Sequence, residues 1–271
     1  MYVITGGGSG IGRALAQQLA VRGHAVFIVG RQKKLLQEVA SYSALISYVA
    51  ADVATQAGRK IIVNALQNCS SIHGLIHCAA QILPISATQL LQEQEWQSLL
   101  NTNLNAPLFL TQALLEKLSG GRVLHMDTDM SELPVKGMAA YCTSKAGLLM
   151  LLRCWQKDLP DISIASVRPG VVDTALPRLV LEAEYVDDHL RSVLQQSYQE
   201  HLLIPPEIVA SFLTWLLLDI DSEQYVSKLW DIRDPSHHSQ WLTSAYVIQQ
   251  PYVTPARIIN PLRILTVSMV E

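Results

Sequence analysis

The chain has 271 residues, 49% of them hydrophobic, a formal net charge of −3 and four cysteines. That length and apolar content suffice for one large buried core, and a small negative charge with no long basic run argues against nucleic-acid binding. Cys69, Cys78, Cys142 and Cys154 show no metal-ligand spacing, so no metal centre is expected, and reduced thiols in a cytoplasmic protein fit better than a disulfide framework.

The elements alternate along the chain. Tyr2-Val3-Ile4-Thr5 is a short β-branched and aromatic run that predicts a buried strand. Gly6-Gly7-Gly8-Ser9-Gly10-Ile11-Gly12 follows, and Arg13 to Ala20 then predicts a helix with Leu15 and Leu19 one turn apart. Strand, glycine turn and helix are the setting of a dinucleotide fingerprint. The glycines admit positive φ and let backbone N–H groups approach a pyrophosphate at the helix N-terminus. A first strand starting at residue 2, interrupted by a polar turn, argues against a signal peptide.

The second strand, Ala25 to Val29, ends at Gly30-Arg31, with Lys33 and Lys34 beyond. An acid at this end would bind the ribose hydroxyls of NAD. A guanidinium suits a 2′-phosphate instead, so Arg31 points to NADP(H) in preference to NAD(H). A third strand runs from Leu45 to Ala51, and further strands are predicted near Gly74–Cys78, Arg122–Asp127, Ile162–Val167 and Val226–Ile232. Between them, helices are predicted over Thr55–Asn68, Glu95–Ser119, Ala139–Asp158 and Pro206–Leu218. Such alternation implies an α/β fold, a doubly wound parallel sheet with helices on both faces and ligands at the carboxyl ends of the strands. No apolar run approaches the ~18–20 residues that cross a bilayer.

Tyr141 and Lys145 lie four residues apart, on one face of the predicted Ala139–Asp158 helix. An ammonium beside a phenol favours the phenolate and can draw the tyrosine from ~10 toward neutral pH. With the glycine turn, this pair makes the sequence resemble the short-chain dehydrogenase/reductase family in its compact single-domain form. Thr5 to Gly12 matches that family's Thr-Gly-x-x-x-Gly-x-Gly turn, and Tyr141 with Lys145 its Tyr-x-x-x-Lys. Asp52 resembles the acid that contacts the adenine, Asn103 the catalytic asparagine, and Thr128 stands where the family has Ser. Pro169-Gly170-Val171-Val172-Asp173-Thr174 resembles the turn that holds the nicotinamide carboxamide.

The resemblance implies catalytic roles for Asn103, Thr128, Tyr141 and Lys145. It implies cofactor contacts from Gly6, Gly8, Ser9, Gly10, Ile11, Gly12, Asp52, Val53, Ala79, Ala80, Pro169, Gly170, Val172 and Thr174. Tyr141 and Lys145 belong to that set too, and Arg31 adds the preference for NADP(H). Asp129, Met130, Met138 and Leu176, next to these motifs, are the expected walls of a partly apolar pocket for a small-molecule carbonyl or alcohol. The expected activity is carbonyl reduction by hydride transfer. The alternative is a non-catalytic NADP-binding sensor on the same fold.

Two departures stand out. His77-Cys78-Ala79-Ala80 replaces the family's Asn-Asn-Ala-Gly, removing amides that brace the loop, and Thr128 replaces Ser. A threonine keeps the hydroxyl but stiffens χ1.

Residues 1–235 are expected to form the dinucleotide-binding and catalytic domain, with 176–204 as a substrate lid, and 236–271 a C-terminal extension of unassigned role. Ile264-Leu265-Thr266-Val267 is a candidate edge strand or packing arm. Leu148, Leu149, Leu151, Leu152 and Trp155 give the Tyr141 helix an apolar outer side, for which a homodimer or homotetramer is expected.

Overall fold

The structure is a computed structural model, and it describes residues 1–242 and 246–249. The candidate strand at 264–267 therefore lies outside the described residues, as does most of the C-terminal extension.

The order is β1 (Tyr2–Thr5), α1 (Gly10–Val21), β2 (Val26–Gly30), α2 (Lys33–Ala40), β3 (Ile46–Ala50), α3 (Gln56–Ala65) and β4 (Gly74–His77). Then come α4 (Glu93–Leu100), α5 (Ala106–Leu114), β5 (Arg122–Met126), α6 (Ala139–Asp158) and β6 (Ser163–Arg168). The described part closes with α7 (Ala175–Glu182), α8 (Asp188–Gln199), α9 (Pro206–Leu218), α10 (Ser222–Val226), β7 (Trp230–Asp231) and α11 (His238–Trp241). The seven strands form one sheet in the order β3-β2-β1-β4-β5-β6-β7, and all six pairings are parallel. The chain winds outward from β1 to β3 and returns to place β4 beside β1. The loops after these two strands therefore diverge to opposite faces and leave a crevice between them.

Alternation along each strand fills two cores. Ile4, Ile28, Ile76 and Leu124 face Leu15, Leu19, Leu36, Phe212 and Leu213. Val3, Phe27, Leu75 and Val123 face Ile62, Leu110, Leu114, Leu152 and Trp155. A strand buried on both faces reads as a continuous apolar run, which is why the short Val26–Val29 stretch carries its signal without alternating polarity.

Three sequence-based expectations are corrected. The predicted helix over Glu95–Ser119 is broken: between α4 and α5 the Asn101–Asn105 segment is a π turn, in which the Ala106 N–H reaches the Asn101 carbonyl five residues back. Pro107 has no N–H for an α-type bond to the Asn103 carbonyl. The strand predicted over Val226–Ile232 shrinks to Trp230–Asp231, because the Asp221 carboxylate caps the Gln224 N–H and starts α10. Finally, Leu148, Leu149, Leu152 and Trp155 are not an outer face. All four are buried within the chain, Leu151 is half-buried against the same core, and on α6 the exposed large apolar side chain is Met150.

Among the described residues no helix is long and apolar enough to cross a membrane, and no cluster of His, Cys, Asp or Glu could hold a metal.

Candidate active site

A cleft of about 520 Å³ opens at the carboxyl ends of the strands, inside the range of ~300–1,000 Å³ usual for small-molecule sites. One end is backbone. Gly6 and Gly10 hold φ of +70° and +50°, which side-chain-bearing residues rarely adopt. A Cβ on Gly12 would lie 2.5 Å from the Gly6 carbonyl oxygen, and one on Gly6 would lie 2.8 Å from the Ala79 nitrogen. The turn is thus packed closely on α1 and on the loop after β4. Gly6, Gly8, Ser9, Gly10, Ile11 and Gly12 all line the cleft, with Arg31, Asp52, Val53, Ala79, Ala80, Pro169, Gly170, Val172 and Thr174. Every cofactor residue inferred from the sequence therefore lines one cleft. Arg31 is exposed at the mouth, and Lys33 and Lys34 do not line it. The Asp52 carboxylate accepts the Ala54 N–H at 2.9 Å, fixing its own turn.

The glycine cradle, open toward the N-terminus of α1, is chemically suited to a pyrophosphate. Arg31 and Gln32, not an acid, follow Gly30 on the cleft lining, and a guanidinium there is compatible with a dinucleotide carrying a further phosphate.

Thr128, Tyr141 and Lys145 line the same cleft. Tyr141 and Lys145 are nearly buried, at 8% and 4% exposure, and the Lys145 Nζ lies 5.7 Å from the Tyr141 ring centroid. Lys145 Nζ donates to the Met126 carbonyl at 2.8 Å, which anchors it to the end of β5. Burial pushes the Tyr141 phenol up from its ordinary value, and the Asp127 carboxylate and Cys142 push the same way. Burial also lowers Lys145. Burial thus acts against the sequence-based expectation of a phenol drawn toward neutral pH by Lys145, and favours the neutral hydroxyl of Tyr141. Thr128 caps the turn after β5, its Oγ1 accepting the Met130 N–H at 3.4 Å.

Asn103 is not a wall of the cleft. It is 1% exposed, and its amide is spent on the loop after β4. Its Oδ1 accepts the Gln81 N–H at 2.8 Å, and its Nδ2 donates to the Gln81 carbonyl at 2.8 Å and to Ser144 Oγ at 3.1 Å. Thr102 Oγ1 donates to Gln81 Oε1 at 2.8 Å, and the Ala79 N–H to Thr5 Oγ1 at 3.2 Å. The loop that lost its own amides is thus braced from the π turn. His77, the last residue of β4, is a core histidine: Nε2 pairs with Thr111 Oγ1 at 3.0 Å and the ring stacks on His125 at 4.7 Å. Burial lowers His77 to about 3. Burial also raises the Cys78 thiol to about 12, so its sulfur is no thiolate nucleophile.

The far end of the cleft is apolar. Ile82, Val180, Leu190 and Leu194 are buried in one cluster with Tyr141 and line the cleft, as do Met130 and Leu176. Of the expected pocket walls, Met130 and Leu176 line the cleft. Met138 is corrected: it is fully buried under the start of α6 and does not reach the cleft. Asp129 lines the cleft, but its carboxylate is taken by Arg233 at 2.7 and 2.8 Å. Sequence reasoning missed Arg233 and Arg168; the only signal was the run of acids Asp127, Asp129 and Glu132 around Thr128, which called for partners.

Comparison with known proteins decides the family. The family model described as short chain dehydrogenase matches residues 1–184. The chain belongs to the short-chain dehydrogenase/reductase family. This oxidoreductase is 28% identical over 226 residues to benzil reductase ((S)-benzoin forming) of Bacillus subtilis, a match covering 80% of this chain and 93% of that protein. It is 30% identical over 182 residues to an uncharacterized oxidoreductase of Staphylococcus aureus, covering 64% of this chain and 78% of that one. Among solved structures, a short chain dehydrogenase/reductase from Saccharomyces cerevisiae superposes with a TM-score of 0.81 at 20% identity, over 86% of this chain and 96% of its own. Serine dehydrogenase in its closed form, complexed with NADP+, gives 0.71 at 20% identity, over 82% and 91%. At these identities the two structures bear on the fold alone.

Proposed function

We propose that this oxidoreductase reduces an apolar ketone or diketone with NADPH. The observation that carries the reading is that Tyr141, Thr128 and Lys145 meet in one cleft, between the glycine cradle and an apolar chamber formed by Ile82, Val180, Leu190 and Leu194. Such a chamber desolvates a hydrophobic carbonyl and offers one hydroxyl on either side of its oxygen. A bound reduced nicotinamide would supply the hydride.

The chain's own residues do the rest. Thr128 donates a hydrogen bond to the carbonyl oxygen and polarises it. Tyr141 gives its phenolic proton to that oxygen as the carbon receives hydride, so the carbonyl becomes an alcohol and the tyrosine a phenolate. Lys145, a cation beside the ring, stabilises the phenolate at that moment and returns a proton. The Asn103 main-chain carbonyl, denied the Pro107 N–H, is the acceptor for a water in that relay. The phenol that burial keeps protonated suits the reducing direction, in which it is the acid. α7 and α8 cover the chamber as its lid, and Arg31 meets the 2′-phosphate, which sets NADPH above NADH.

The choice of probe follows the benzil reductase of Bacillus subtilis. NADPH oxidation is followed against benzil, simple aryl ketones and a keto acid. Turnover of the apolar diketone and ketones over the keto acid is expected. Binding of NADPH without turnover of any carbonyl would reject the reading.

A further inference from the structure

The reaction uses the Thr128 hydroxyl but none of the charged groups packed around it. Thr128 sits between two carboxylates on the short turn that ends β5. The Asp127 N–H donates to the Val167 carbonyl at 2.7 Å, and its carboxylate accepts Ser131 Oγ at 3.0 Å and Arg168 Nε at 3.3 Å. Arg168, on the last residue of β6, also reaches Asp129 at 3.6 Å and makes a short contact with Glu132. Arg233, just past β7, grips Asp129 with both Nη atoms at 2.7 and 2.8 Å. Its Nε and Nη2 hold Asp231 at 2.8 and 2.6 Å.

These groups are withdrawn from water: the side chains of Arg233, Asp129 and Asp231 are 5%, 15% and 17% exposed. Ion pairs so placed spend much of their attraction on desolvation and are poor sources of stability. What a two-pronged guanidinium–carboxylate fork supplies is direction, since it fixes both partners in a plane. Here both neighbours of Thr128 are fixed by arginines that arrive from the next two strands. The hydroxyl between them has little freedom left except its own χ1, which the β-branch already limits.

We propose that Arg233 is a positioning residue: its fork on Asp129, with Arg168 on Asp127, holds the β5 turn so that the Thr128 hydroxyl meets the substrate carbonyl. The inference rests on the assignment of Thr128 as the polarising group. It also gives Asp129, an acid that lines the cleft, a partner within the chain.

The test is a double-mutant cycle on the full chain, with benzil as substrate and saturating NADPH. Arg233→Lys keeps the charge and loses the fork. It is expected to lower kcat about tenfold, while NADPH Kd, read by fluorescence titration, stays within about twofold. Thr128→Ala is expected to lower kcat by about 10²-fold. In the Thr128→Ala background Arg233→Lys should cost nothing further, because the group it positions is gone. Multiplying losses, or an Arg233→Lys enzyme with wild-type kcat, would overturn the positioning role and leave the proposed reaction standing. Wild-type turnover by Thr128→Ala would overturn the polarising role and this inference with it. If Arg233→Lys does not fold, Asp129→Asn takes its place in the same cycle, with the same two outcomes.

Discussion

The two ends of the cleft are made of different material. The dinucleotide end is backbone: Gly6 to Gly12, Ala79-Ala80 and Pro169-Gly170, in turns that tolerate no added Cβ at Gly6 or Gly12. The end proposed for substrate is side chain: Gln81 and Ile82 after β4, Met130 after β5, Tyr141 on α6, Leu176 and Val180 on α7, Leu190 and Leu194 on α8. A backbone site dictates residue type at each position, because positive φ and close approach leave only glycine. A side-chain site dictates only shape and polarity, and many residue combinations meet that demand.

Gly12→Val tests the first half with the largest expected effect. A branched side chain in contact with the Gly6 carbonyl should remove measurable NADPH binding in a fluorescence titration. Wild-type affinity in that variant would break the comparison, by showing that the turn is not the cradle. Arg31→Asp addresses the side chain to which the proposed preference for NADPH is assigned. It should shift the NADPH/NADH ratio of kcat/KM toward NADH by about tenfold or more, the worth of one or two hydrogen bonds to a charged group. An unmoved ratio would remove the 2′-phosphate role.

Leu190→Asn sharpens the other half. Replacing a buried apolar wall with an amide should raise KM for benzil by about tenfold and leave KM for NADPH unchanged. A rise in both would mean that the two ends do not work as separate units. A separate test concerns the strands beneath the cleft. His77 and His125 are stacked and buried, and burial lowers both. Their neutral forms are favoured in the folded state, so their contribution is whole above the unfolded value of ~6.5. It is lost as pH falls toward the folded values, by about 1.4 kcal/mol per pH unit for each ring. Melting temperature should therefore fall with pH through that window, less steeply in His125→Phe. Equal slopes in the two proteins would contradict the assignment.

What was legible in the sequence follows the same division. β1, the glycine turn, α1 and the parallel sheet could be read because Tyr2–Thr5 and the glycines carry local signals, and every expected cofactor residue does line the cleft. The Tyr141 and Lys145 pair could be read from helical spacing. The break in the predicted Glu95–Ser119 helix had one local signal, Pro107, yet the bracing of Gln81 by Asn103 depends on two segments meeting in space. The fate of Asp129 was hidden for the same reason, since its partner Arg233 lies 104 residues away. Met138 looked like a pocket wall from its place beside Tyr141, but the helix turns it under α6, where it packs with Val186 and Leu190. The spacing of Tyr141 and Lys145 shows the neighbouring ammonium, but not the burial that raises the phenol.

The most direct measurement is turnover of benzil by Tyr141→Phe at saturating NADPH, with NADPH Kd measured on the same protein. Removing the hydroxyl takes away the proton donor and leaves the cradle untouched. A loss of about 10²–10⁴-fold in kcat is expected, with Kd near that of the unmodified enzyme. Turnover within about twofold of wild type would contradict the account, because the carbonyl oxygen would then be taking its proton from elsewhere.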